Sequence, residues 1–285
     1  MGWVKKYSKE VVVGLLFLSN IFVWVAVYAR QSGNLLSVYF LDIGQGDSIL
    51  IDSPQHGRAL VDGGRNRKVL AEIDKVLPFG DKRIDVVIAT HPDADHIGGL
   101  PEVVSRYKVG LFMEPGVESD NTVDDELEKR VEEKNIPTLL ARRGIVINFG
   151  DEAKLQILFP NQDVSNWETN RASVVSKLTY GSISFLLTAD SPMAIEDVLM
   201  NLDRKALDAD VLKAGHHGSR TSTAAAFAAA VSPQYAVISA GKNNSYGHPH
   251  KEVLDILKSV GAQIVSTIDM GTIKFQTDGK ILEIK

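Results

Sequence analysis

Two rhythms of apolar and polar positions run through residues 36–285. Residues 36–43, 48–53 and 58–61 are short apolar or alternating runs, broken by Gly44-Gln45-Gly46-Asp47, Pro54 and Gly63-Gly64, and they predict β-strands joined by tight turns. Over 66–77 the period changes. Val69, Leu70, Ile73, Val76 and Leu77 recur at helical spacing up to Pro78, which predicts an amphipathic helix. Strands predicted at 84–90, 109–113 and 138–141 then alternate with helices at 99–107 and 123–135. The second half opens with four strand-like runs, 145–149, 154–159, 172–180 and 182–188, separated only by turn signals. Helices at 192–201, 222–231 and 251–260 next alternate with strands at 209–214, 235–239 and 264–268, and a hairpin through Thr277-Asp278-Gly279 closes the chain. Two sheets, each with helices on its outer side, make the expected fold an α/β four-layer αββα sandwich.

Residues 11–29 follow neither rhythm. They run nineteen positions without a charge, with Lys5, Lys6 and Lys9 ahead of them and Arg30 behind, so a single-pass transmembrane helix is expected there. The lysines place its start in the cytoplasm and the C-terminal domain outside the cell membrane, and Trp24 and Tyr28 suit the interfacial belt. Val27-Tyr28-Ala29 also has the small-residue character of a cleavage site, so secretion after signal cleavage is the alternative. The expected divisions are a cytoplasmic tip and anchor (or signal peptide) over 1–30, a linker over 31–35 and a folded domain over 36–285.

Composition narrows the chemistry. With 44% hydrophobic and 24% charged residues the chain has ample material for a core and is no disordered segment. It contains no cysteine, which excludes disulfides, thiolate metal sites and cysteine nucleophiles. Lys5, Lys6, Lys9 and Glu10 give residues 1–29 a charge of +2, leaving −7 of the total −5 on residues 30–285. Residues 114–134 hold −6 of that, from nine acidic and three basic side chains, so the acidity is local and does not bar a polyanionic substrate. Lys213, Arg220, Lys242 and Lys251 lie close in sequence to the candidate site and could offset phosphate charge; ordinary solvated surface cations fit them equally well.

The candidate site begins at His91-Pro92-Asp93-Ala94-Asp95-His96, two imidazoles and two carboxylates directly after an apolar strand. Such side chains suit Zn, Mn or Fe, and alternate residues of a tight loop can face two metals a few ångströms apart. Asp190 ends another apolar strand, and Gly215-His216-His217-Gly218 follows a third. A bridging carboxylate and one further imidazole would complete a two-metal site. Asp190 taken alone reads as the cap of the helix beginning at Pro192, a reading that loses beside His91, Asp93, Asp95, His96 and His216; His248 reads equally as a surface-loop histidine.

In these motifs the sequence resembles the metallo-β-lactamase superfamily and, within it, the soluble domain of ComEC/Rec2-type competence proteins. The resemblance rests on residues 40–48, Asp62-Gly63-Gly64, the His91–His96 loop, Thr188-Ala189-Asp190, Gly215-His216-His217-Gly218-Ser219 and Tyr246-Gly247-His248-Pro249, in that order. It implies that His91, Asp93 and Asp190 hold one metal and that Asp95, His96, Asp190 and His216 hold a second. His217 is then an alternative ligand, Asp62 orients the loop without ligating, and His248 donates a proton or holds a phosphate. The wider superfamily has histidine where Asp93 stands and another ligand near Asn170-Arg171-Ala172-Ser173, where this chain has none. The resemblance implies two divalent ions, Zn or Mn; the richer oxygen set shifts preference toward Mn or a weaker first Zn and speaks against antibiotic hydrolysis. For Asn170 and Ser173, turn hydrogen bonding is the simpler reading. The implied catalytic residues are Asp95, Asp190 and His248.

The function so implied is a membrane-anchored, metal-dependent phosphodiesterase or nuclease acting on extracytoplasmic DNA. The competence proteins carry many membrane helices and this sequence offers one, so hydrolysis is expected without transport. The alternatives are a phosphoesterase of a cell-wall or lipid headgroup, or a non-catalytic module that binds a ligand through its metal site.

Overall fold

The computed structural model describes residues 8–32, 35–55, 57–150 and 152–285, with side chains described from 9 to 24 in the first stretch. The chain divides into two compact units, Met1–Leu35 and Leu36–Lys285. Within the first, Ser8–Ser32 forms a 25-residue helix, and Val11, Phe17, Phe22 and Trp24 on it are all exposed. Among the described residues no helix is long and apolar enough to cross a membrane. Lys5 and Lys6, and the side chains of Val27, Tyr28 and Ala29, lie outside the described residues.

Two sheets build the second unit. Six strands come from its first half: β1 (Leu36–Phe40), β2 (Ile49–Asp52), β3 (Arg58–Val61), β4 (Arg83–Ile88), β5 (Lys108–Glu114) and β6 (Thr138–Leu140). Seven follow: β7 (Val146–Asn148), β8 (Lys154–Phe159), β9 (Val175–Tyr180), β10 (Ile183–Leu187), β11 (Val211–Lys213), β12 (Tyr235–Ile238) and β13 (Gln263–Ser266). The closing hairpin, β14 (Ile273–Thr277) and β15 (Leu282–Ile284), returns to the first sheet, whose order is β15-β14-β1-β2-β3-β4-β5-β6. The second sheet runs β13-β12-β11-β10-β9-β8-β7.

Strands β3 to β6 pair in parallel, as do β10 to β13. A helix makes each crossover: Lys68–Val76, Leu100–Arg106 and Thr122–Glu133 over the first sheet, and Met193–Asp203, Ala225–Val231 and Lys251–Ser259 over the second. Parallel pairing requires such crossovers, and it sends the carboxyl ends of neighbouring strands to a common edge, where ligands of open α/β sheets bind. Period-two alternation sorts the side chains. Val38 and Phe40 enter the layer between the sheets with Ile157, Phe185 and Phe275, while Tyr39 and Leu41 pack under the helices with Val69, Ile73 and Leu100. A third apolar layer, including Leu186, Leu212, Phe227 and Leu257, lies beneath the helices of the second sheet. The αββα sandwich expected from the sequence is therefore present.

Local departures have local causes. The strand expected from 172 starts only at Val175, because Asn170–Ala172 closes into a 3₁₀ turn. The strand expected to reach 268 stops at Ser266, whose hydroxyl accepts from the Ile268 N–H and starts a helical turn, Thr267–Met270. Within the His-Asp loop, Ala94–Ile97 is one turn of helix, too short and too polar to show a helical period.

Candidate metal centre

Every site residue follows a strand end, and the backbone there takes unusual conformations. Asp62 after β3, Ala189 after β10, and His216 and His217 after β11 have φ of 61, 48, 48 and 56°. Left-handed backbone at non-glycine residues costs on the order of 1 kcal/mol or more each, so the surrounding contacts must fix it. Gly46 supplies one such contact. A Cβ there would lie 1.9 Å from the Asp95 carbonyl oxygen, so only glycine lets the 44–47 loop lie against the His-Asp turn.

The hydrogen bonds determine which histidine nitrogens are free to ligate. Asp62 is fully buried and accepts from the Thr90 N–H at 2.8 Å and from the Thr90 hydroxyl at 2.7 Å. His96 Nδ1 lies 2.8 Å from the same carboxylate and donates to it, which leaves a lone pair on Nε2. The Thr90 hydroxyl has spent its proton on Asp62, so His91 Nδ1, 3.0 Å away, donates to the hydroxyl and His91 Nε2 is left bare. His217 Nδ1 is 2.8 Å from the Ser239 carbonyl, which can only accept, and its Nε2 is bare in turn. These three Nε2 atoms are buried without a hydrogen-bond partner, as is Asp190 Oδ1.

They converge. Donor atoms of His91, His96 and Asp190 lie within 4.8 Å of one another, and so do those of Asp95, His96 and His217. Asp190 reaches His96 Nε2 at 3.3 Å through one oxygen and His217 Nε2 at 3.4 Å through the other. Asp95 Oδ2 is 3.4 Å from His217 Nε2, and Asp93 Oδ2 is 3.7 Å from His91 Nε2. The other Asp93 oxygen accepts from Thr169 at 2.7 Å. Buried imidazoles with free lone pairs beside carboxylates suit a divalent ion, and the residues present fit one.

Charges of both signs meet in the pocket. Burial would raise Asp190, but His217, His96 and Lys213 outweigh it and hold its carboxyl well below the ordinary range. Burial likewise opposes charge on His96 and His217, yet Asp190 with Asp62, and Asp190 with Asp47, hold both well above the usual histidine value, so each Nε2 gives up a proton as a divalent ion takes its lone pair. Burial and the neighbouring His96 push His91 down to about 3. Lys213, weighed as a surface cation in the sequence, is instead completely buried and ion-paired with Asp47. Lys251 is exposed and pairs with Asp255, while Arg220 and Lys242 are exposed.

His217, the alternative in the sequence reading, turns its Nε2 into the cluster. His216 lies at the mouth, with its Nδ1 3.2 Å from the Thr221 hydroxyl and its Nε2 3.5 Å from Asp190. His248 sits beside both, its ring centroid 5.5 Å from that of His216 and 6.2 Å from that of His217, and Tyr246 stacks on it. Burial, then the charges of His217 and His216, lower its pKa to about 4, so it is neutral at pH 7. Asn244 fastens it, accepting from the His248 N–H and donating to its carbonyl. Ser173 and Asn170 each bury a side-chain oxygen without a partner, and the Val174 N–H bonds to Thr90 O beside the cluster. Sequence reasoning missed Asp47, Thr169 and the burial of Lys213. Only Asp47 had a signal, its place in the Gly-Gln-Gly-Asp turn.

A two-sheet sandwich that gathers buried histidines and aspartates at its strand ends has the architecture of a metallo-hydrolase. The Metallo-beta-lactamase superfamily profile matches residues 41–242, and the chain belongs to that superfamily. Divalent-metal binding and metal-dependent hydrolysis are the chemistry of its class. The chain is similar to ComE operon protein 3 of Bacillus subtilis (strain 168), at 33% identity over 261 residues, 86% of this chain and 33% of that protein. It is also similar to Recombination protein 2 of Haemophilus influenzae, at 28% identity, covering 92% of this chain and 31% of that one. The resemblance to the ComEC/Rec2 type holds, and the chain spans about a third of the length of these relatives. Among solved structures, the metallo-beta-lactamase fold protein YhfI from Bacillus subtilis shares the fold, with a TM-score of 0.58 at 14% identity over 85% of this chain and 100% of that one.

Proposed function

We propose that the chain is a metal-dependent phosphodiesterase that takes two divalent ions, Zn or Mn, with DNA as the first substrate to test. The observation that carries this reading is the convergence of three bare Nε2 atoms, His91, His96 and His217, on the Asp95 and Asp190 carboxylates. In it Asp95, His96 and His217 hold one ion, His91 and Asp93 the other, and Asp190 is shared. When bound, the ions supply Lewis acidity toward a phosphodiester and activate the attacking water. His248, neutral at pH 7 and beside His216, hydrogen-bonds the phosphate or the leaving oxygen. Exposed Arg220 and Lys242 offer charge to a nucleic-acid backbone. The relative named for recombination favours DNA over a lipid or cell-wall headgroup.

The same reading places the domain outside the cell membrane, anchored by residues 11–29. The exposed apolar side chains on the described part of the Ser8–Ser32 helix support contact with lipid, although among the described residues no helix is long and apolar enough to cross a membrane. Protease added to intact cells should then remove the C-terminal domain; its protection would reverse the orientation, and a mature chain starting at Arg30 would make the segment a signal peptide.

The enzymatic test is a screen of purified, Mn- or Zn-loaded protein on single-stranded DNA, double-stranded DNA, bis(nitrophenyl)phosphate, a phosphocholine ester and nitrocefin. Asp190→Ala should lose metal and hydrolysis together. His248→Ala should keep its metal while turnover falls about 10²-fold or more. Were loaded wild type no faster than Asp190→Ala on every phosphodiester, the ligand-binding reading would replace the enzymatic one.

A further inference from the structure

We infer that Lys213 is a built-in counter-charge that sets the metal affinity of the site; the inference rests on the two-ion reading above. Lysine is almost never fully buried unless paired, and Lys213, the last residue of β11, has no exposed surface. Its ammonium is ion-paired with Asp47, itself 1% exposed on the 44–47 loop of the opposite sheet. It also donates to the Ala189 carbonyl at 2.9 Å and lies 3.5 Å from Asp190 Oδ1. Ala189 is the residue held at φ 48° immediately before Asp190. The lysine thus grips the strained peptide that aims the shared carboxylate, and it faces that carboxylate directly.

Charge balance gives the arrangement a purpose. Five carboxylates, Asp47, Asp62, Asp93, Asp95 and Asp190, surround the cluster. Two divalent ions and neutral histidines leave one negative charge over, and Lys213 cancels it. A purely packing role for the lysine would make either partner's loss weaken metal binding. A counter-charge role makes the two losses act in opposite directions, because one variant adds a net negative charge and the other removes one.

The test is Mn²⁺ and Zn²⁺ binding to the full chain by calorimetry and chelator competition. Lys213→Met should bind Mn²⁺ about tenfold or more tightly than wild type, and Asp47→Asn about tenfold or more weakly, given unit charges within a few ångströms of the ions. The double variant, restored in net charge, should return to within about threefold of wild type. Lys213→Met leaves Asp47 buried and unpaired and can fail to fold. In that event the comparison is between Asp47→Asn and the double variant, where loss of the lysine must tighten binding. Weaker or unchanged binding on removing Lys213 from either background overturns the inference while the metal site stands. A wild type that binds neither ion overturns the two-ion reading itself, and this inference with it.

Discussion

Asp62→Asn changes one atom of the site and should reverse the polarity of two proposed ligands, His96 and His91. The carboxylate is an acceptor in three hydrogen bonds: one oxygen takes the Thr90 N–H, the other takes the Thr90 hydroxyl and His96 Nδ1. An amide nitrogen placed toward the Thr90 N–H would face a donor that cannot invert, so it must take the second position. There it donates, and His96 must present a bare Nδ1 and carry its proton on Nε2. The Thr90 hydroxyl then turns its own proton toward His91 Nδ1, 3.0 Å away, and His91 Nε2 is protonated as well. Both bare nitrogens facing the cluster are lost without any change in shape. Loss of one such outer hydrogen bond lowers metal affinity about 10–100-fold, and two coupled ligands place the expected loss at the upper end or beyond. Replacing a buried, hydrogen-bonded carboxylate costs stability too, about 1–3 kcal/mol for each bond left unmade. The assays are Zn²⁺ titration by calorimetry, imidazole ¹⁵N shifts for the tautomers, and denaturant unfolding for the fold. Metal affinity within threefold of wild type, with the fold intact, would refute the relay from Asp62 through Thr90 to His91.

Two further outcomes follow from the geometry. His217→Ala should lower metal stoichiometry, whereas His216→Ala should keep both ions and slow turnover, as metal analysis of the purified variants would show; the reverse pattern would return the ligand role to His216. Asp124, on the acidic helix, has its pKa raised to about 7 by burial and by Glu128, Glu114 and Asp125, against 3.8 unperturbed. Its folded pKa lies above its unfolded one, so its charge destabilises the fold above pH 7, and that cost fades as pH falls toward about 4. Asp124→Asn should therefore add up to about 1 kcal/mol at pH 8, after allowing for solvent screening, and less at pH 5. Urea unfolding with an equal gain at both pH values would show that the carboxylate is not perturbed.

How much of this was legible in the sequence depended on how far apart the partners lie. His91, Asp93, Asp95 and His96 could be recognised because one strand end and one helical turn hold them all, and residue type plus spacing carried the chemistry. Asp190 and the His216-His217 pair were legible for a related reason: parallel strands joined by helices send their carboxyl ends to one edge, so strand-end position already implied convergence. Which of the two imidazoles turns into the cluster was not, since it depends on backbone at φ 48 and 56°, which no residue preference at His-His announces. Nor was the sheet that receives the closing hairpin. β14 joins the first sheet beside β1 because Phe275 packs edge-on against Phe40 at 5.9 Å and Phe185 at 5.8 Å, partners remote in sequence and on both sheets.

Polarity is the hardest property to read from a string of residues. Asp62, Thr90 and His91 each appear in the sequence as a polar residue near a strand end, and nothing in their spacing says which atom gives a proton to which. The direction is settled only when the buried carboxylate, able only to accept while ionised, is seen to take the threonine proton. From that one fact the bare face of His91 follows. Lys213 obeys the same logic in charge: a lysine before a Gly-His-His-Gly turn reads as a surface cation until Asp47, supplied by the other sheet, is seen against it. The sequence thus displays the donor types of the metal centre, while the protons and counter-charge that make those donors ready to bind arise only where the two sheets meet.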